Sequence, residues 1–144
     1  MPLAPGIIVH FTQLPILMSG MLAGPVGGLV TGAAGGLYMS LVVAQIPFII
    51  GGPAILGLAA GFFSRRVRPF FSGVLAWLVQ APYVAVTDYV WFTIFLQRTP
   101  QNAWIAVTPI MAKLTVETVI SSALAEVIAL YLKRTRMLQR FFGT

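Results

Sequence analysis

The sequence predicts an all-α integral membrane protein of about five transmembrane helices, some kinked or broken, on three observations. Of 144 residues, 58% are hydrophobic and only 8% charged, with a mean hydropathy of +0.92, whereas soluble domains carry roughly 25% charged residues. Glycine recurs at every fourth position at Gly20, Gly24, Gly28, Gly32 and Gly36, a spacing that stacks small residues on one helix face. Basic residues concentrate in two places, Arg65, Arg66 and Arg68 in one short segment and Lys133, Arg134, Arg136 and Arg140 at the C-terminal end. Such clusters mark the cytoplasmic side of a membrane. They leave Arg98 facing outward, the N-terminus outside and the C-terminus cytoplasmic.

Taken in order, residues 1–13 read as an outer loop or lid, because His10, Thr12 and Gln13 are unwelcome in hydrocarbon and Pro15 opens the helix that follows. A first span over residues 14–24 ends at Gly24-Pro25, where a proline lacking an N–H stops one helix and starts the next. The second span, residues 26–44, carries the glycine ridge inward and Leu29, Val30, Leu37 and Leu41 toward lipid. A third span, residues 47–63, is expected to break at Gly51-Gly52-Pro53 and to repeat the small-residue spacing at Gly57 and Gly61. The fourth, residues 70–96, has about 27 residues where ~20 suffice, so it is tilted, extended or kinked at Pro82. After the polar segment around Arg98 a fifth span covers residues 103–133, with Pro109 in its outer third. Residues 134–144 form a basic cytoplasmic tail, and the whole chain is one transmembrane domain.

In water each glycine of the ridge would cost a helix roughly 1 kcal/mol relative to alanine. In lipid, small residues are what bring two backbones close enough to pack. Gly20, Gly24, Gly28, Gly32, Gly36, Gly57 and Gly61 are therefore the expected helix-packing or partner-binding positions.

Ionisable groups within spans cost at least ~2.5 kcal/mol each on insertion scales, so each needs a partner or a role. Asp88 lies roughly 12 Å from the outer end of its span and Lys113 roughly 15 Å from that of the next, at 1.5 Å per residue, which puts them at one depth. Lys113 and Glu117 share a helix face. Two readings follow: an outward-facing pocket in which Asp88, Lys113 and Glu117 hold a polar solute, or a buried ion pair that fixes helix register. Trp91 belongs either to that pocket or to an interfacial aromatic belt. His10, Thr12 and Gln13 stand where a lid would close, although a lone loop histidine is commonly just solvated.

Several classes are not expected. The chain has no cysteine, one histidine and three acidic residues, which removes disulfides and thiolate sites and leaves little to build a metal centre. No HExxH motif, phosphate-binding loop with its lysine or nucleophile triad occurs, so neither enzyme chemistry nor a cofactor bound by this chain is expected. The net charge of +6 follows from membrane topology and does not indicate nucleic acid.

With these residues in place, the chain resembles the substrate-binding S components of energy-coupling factor (ECF) vitamin transporters. The likeness rests on VHFTQLPILMSGMLAGPVGGLVTGAAGGL, on PFIIGGPAILGLAAGFFSRR, and on a last span with Pro109 and a basic end. The resemblance implies an S-component-like bundle in a prokaryotic plasma membrane. It captures a water-soluble vitamin or related small molecule and passes it inward with a transmembrane coupling subunit and a pair of ATPase subunits, which use the ATP. By position, His10, Thr12 and Gln13 would form the lid, and Asp88, Trp91, Lys113 and Glu117 the lining. Family members usually begin with a further small-residue helix that contacts the coupling subunit. This chain is expected to start where that helix would end, so the glycine ridge is a candidate for the contact. The alternative is a structural subunit of a membrane complex, without a ligand of its own.

Overall fold

The computed structural model of the chain describes residues 2–4, 7–8, 11–44 and 47–134. Pro2–Ala4 and Ile7–Ile8 pair as a short antiparallel ribbon. The remainder is helical: α1 (Gln13–Tyr38), continued by a π-helical stretch Met39–Ala44; a 3₁₀ turn Pro47–Ile50 leading into α2 (Gly51–Phe63); α3 (Pro69–Val90), continued by Trp91–Phe95; and α4 (Pro100–Arg134).

By length and composition Gln13–Leu41, Pro69–Phe95 and Pro100–Leu132 are long and apolar enough to cross a membrane, and Phe48–Phe63 is a shorter apolar helix. The first of these is not one rod. At Gly24 the backbone has φ +81° and ψ −174°, a conformation open essentially to glycine alone. Pro25 then starts the next helix, where its missing N–H costs nothing. Ser19 Oγ and Thr31 Oγ1 lie 2.7 Å apart, although twelve positions along a continuous helix span ~18 Å. Residues 25–38 are therefore folded back along residues 13–23.

The two arms differ in length. Residues 13–23 rise only ~16 Å, about half of a ~30 Å hydrocarbon layer. Their N-terminal end meets α4 at Glu117 and Thr118, halfway along that helix.

The glycine ridge is filled by α2 of the same chain. A Cβ on Gly28 would stand 2.8 Å from Gly20 Cα and 2.5 Å from the Gly57 carbonyl carbon, and one on Gly57 would stand 3.0 Å from Gly28 Cα. Further along the same antiparallel seam Gly32 faces Pro53 and Ala54, Gly36 faces Ile50, and Gly61 faces Gly24 and Pro25. No side chain fits between these backbones, so dispersion contacts between main chains hold the seam. Leu29, Val30, Leu37 and Leu41, on the opposite side of the second arm, are exposed.

The expected break at Gly51-Gly52-Pro53 does not occur. The helix begins there instead, with Pro53 in the first turn where no intrahelical donor is needed. Ile16, Leu17, Leu56, Ala59, Ala60, Ala76 and Trp77 form the core, joined at its edge by Met111 and Leu114. The loop at Ser64–Arg68 turns the chain into α3, whose helix opens on Pro69 after an extended Arg68. α3 and α4 run antiparallel: the Tyr89 and Trp104 rings are 5.1 Å apart, and Gly73 backs onto Ser122.

The seam makes a contrasting pair of expectations. Gly28→Ala should lose about 3 kcal/mol by overpacking backbone against backbone, seen as a lowered thermal transition in detergent. Gly35→Ala, whose Cβ would meet only the Ile16 side chain, at 3.5 Å from Cδ1 and 3.9 Å from Cγ1, should keep or slightly raise that transition.

Candidate functional site

A cavity of about 430 Å³ opens above the N-terminal end of α1, near the end of the bundle that carries Arg98. Its floor is made by Thr12, Gln13 and Ile16, the first residues of the short arm. One wall is the face of α3 with Gln80, Val84, Thr87 and Asp88, positions that recur at helical spacing and so project together. The facing wall is Pro109, Ile110, Lys113 and Leu114 of α4, and Phe48, Ile49, Gly52 and Leu56 close the side toward α2. Tyr83 fixes that side by donating its hydroxyl to the Phe48 carbonyl at 3.2 Å. The surface is mainly apolar with a few polar groups, and its size lies in the usual range for small-molecule sites.

The structure brings Thr12, Gln13, Asp88 and Lys113 into this lining. Two residues expected there stand outside it. Glu117, only 2% exposed, accepts the Thr12 hydroxyl at 3.4 Å and faces the backbone N–H groups of Thr12 and Gln13. The reason is the short arm: a helix that starts inside the bundle has N–H groups with no partner in hydrocarbon. Thr12 itself makes no side-chain cap, and the carboxylate from α4 serves, favoured by the positive end of the helix dipole. Gln13, 5% exposed, ties the same junction by meeting Thr118 Oγ1. Trp91 stacks on Phe95 with centroids 4.6 Å apart and leans on Phe48, one ring behind the lining. His10 lies outside the described residues.

Asp88 and Lys113 do not pair with each other, and Lys113 is attracted by the charge of Glu117 one turn along α4 without closing a salt bridge to it. Among the described residues neither enters a salt bridge. Helix register explains this, and it corrects the expectation of one shared depth. With Tyr89 opposite Trp104 and Gly73 opposite Ser122, Lys113 stands level with about position 81, so Asp88 lies ~10 Å nearer the Arg98 end.

Gln80 was not singled out by the sequence reading. It is 4% exposed, and its Oε1 is buried without a hydrogen-bond partner. The available signal was an amide inside an apolar run, two helical turns before Asp88 on the same face. A larger hollow of about 1040 Å³ lies at the opposite end, among Arg65, Arg66, Arg68 and Glu126. Its three arginines are exposed, so it presents a solvated surface and not an enclosed site. Among the described residues no three His, Cys, Asp or Glu side chains gather to hold a metal.

In comparisons with known proteins, no family model, no curated protein and no solved structure matches the chain.

Two substitutions separate scaffold from site. Glu117→Ala strands the N–H groups of a buried helix start and should cost about 1–3 kcal/mol, with Glu117→Gln losing less. Gln80→Leu removes a partnerless buried amide and should leave the ligand-free protein as stable or up to ~1 kcal/mol more so. Thermal unfolding monitored by circular dichroism in detergent reads both.

Proposed function

We propose that this chain is a membrane-embedded solute-binding subunit of the ECF S-component type. It takes a water-soluble vitamin or related small molecule into the cavity and hands it on with a coupling subunit and a pair of ATPase subunits. The observation that carries the reading is the cavity itself: a largely apolar hollow into which Asp88, Lys113 and Gln80 all face. Charged and amide groups are costly in such surroundings unless they meet a complementary partner. A bound polar solute supplies that partner.

In this reading the chain makes five passes, the first of them half-length, with the Arg98 end and N-terminus outside and the Arg65 end in the cytoplasm of a prokaryotic cell. Thr12 and Gln13 then lie at the floor of the site, below any lid. The glycine seam is occupied by α2, so docking to a coupling subunit falls to the outward faces. Among these, the second arm and the α4 face with Val116, Val119, Ile120 and Val127 are exposed and apolar.

The test is ligand-dependent thermal stability of the detergent-purified chain against a panel of vitamins and their precursors. A true ligand at 100 times its Kd adds about 2.7 kcal/mol. Asp88→Asn and Lys113→Met should each abolish that shift while leaving the ligand-free transition within about 1 kcal/mol of the parent. A folded, monodisperse sample that responds to no member of the panel would shift the assignment to a structural subunit.

A further inference from the structure

The two charges in the cavity are of opposite sign, sit on opposite walls and do not meet. Asp88 projects from α3 and Lys113 from α4, and neither closes a salt bridge among the described residues. Glu117, the carboxylate one turn beyond Lys113, attracts that ammonium from beyond salt-bridge distance while its oxygens take the hydrogen bonds of Thr12 and the start of α1. Gln80 stands at the level of Lys113 with its Oε1 buried and unpartnered, two helical turns deeper than Asp88. Between these polar ends the walls are apolar, with Phe48, Val84, Phe92 and Ile110.

A ligand that desolvates such a cavity must answer both charges. A purely anionic solute would satisfy Lys113 and leave Asp88 buried without a partner; a purely cationic one would answer Asp88 and leave Lys113 only the more distant charge of Glu117, whose oxygens are already hydrogen-bonded; a neutral apolar one would desolvate both without contact. We propose that the cavity takes a dipolar solute. A carboxylate or comparable acceptor group rests on Lys113, an apolar or planar body fills the middle, and a protonated amine or N–H-rich edge meets Asp88, while Gln80 Oε1 is left to accept from an N–H or O–H donor of the solute. This deepens the solute-binding reading above and rests on it.

The probes are 6-aminohexanoate, hexanoate and hexylamine, alike in length and differing only in their poles, added to the detergent-purified full chain and followed by thermal shift. The zwitterion is expected to reach half-maximal stabilisation at a concentration at least tenfold lower than either single-pole probe. Its advantage over hexanoate should vanish in Asp88→Asn, and its advantage over hexylamine in Lys113→Met. Asp88→Glu and Lys113→Arg, which keep the charges, should retain both advantages and guard against a mere folding defect. Equal response to a single-pole probe, or a zwitterion advantage that survives in both neutralised variants, would overturn the dipolar ligand while leaving a solute site in place. So would a vitamin from the panel that binds tightly but carries only one pole. No response to any of the three probes or to any vitamin would overturn the dipolar ligand and the solute-binding reading together.

Discussion

Contact of backbone with backbone at Gly20, Gly28 and Gly57 is the constraint on which the rest of this structure depends. Three helical segments converge there with no side chain between them, and a single methyl group at Gly28 would collide with two of them. In hydrocarbon, where burial of apolar side chains gives helices no reason to associate, such close approach is a main source of cohesion. It also fixes register. Once Gly28 is seated on Gly57, the steps of four residues bring Gly32 to Pro53 and Gly36 to Ile50, and the seam cannot slip without driving a larger side chain into backbone. The exposed apolar residues on the outer faces are then free to vary without affecting that seam.

The reversal at Gly24 brings the first arm into this arrangement and has a second effect. Because the arm is only half as long as its return partner, its helix begins inside the bundle. A helix start in that position needs an acceptor, and Glu117 provides one from α4. Asp88, Lys113 and Glu117, which look alike in the sequence, therefore divide by role: Glu117 caps the start of α1, whereas Asp88 and Lys113 line the hollow. No local property of the residues makes that division. It follows from where the short arm stops.

Much of the architecture is legible in the sequence because its signals are steric and local. Gly24-Pro25 reads as a corner since one residue tolerates positive φ and the next lacks an N–H. Gly28, Gly32 and Gly36 read as an inward ridge since small residues at helical spacing have few other uses in lipid. What stayed hidden depends on lengths and register across the fold. Composition alone suggests a break at Gly51-Gly52-Pro53, but proline in the first helical turn is harmless, and Pro47–Ile50 lead into the helix as a 3₁₀ turn. Distances counted inward from the helix ends put Asp88 and Lys113 at one depth, whereas the contacts of Tyr89 with Trp104 and Gly73 with Ser122 offset them. Gln80 escaped notice because an uncharged amide is a weaker signal than a carboxylate, although burial without a partner makes it as informative.

The cavity can be understood as the direct product of that length mismatch. Where residues 13–23 end, α3, α4 and the chain around Phe48 continue toward the Arg98 end, and the volume that another turn or two of helix would have filled is left open. Its floor is then necessarily a helix N-terminus, and its walls are the faces of α3 and α4 that would otherwise have packed on that helix. Buried positions on those faces would ordinarily be apolar, as Val84, Ile110 and Leu114 are. Gln80, Asp88 and Lys113 depart from that pattern at the hollow, as Ser72, Thr118, Ser121 and Ser122 do deeper between the helices, but only the former line an open volume. A defect lined by aliphatic side chains would cost stability and gain nothing, whereas polar groups placed around a void of this kind have a use once something polar enters it.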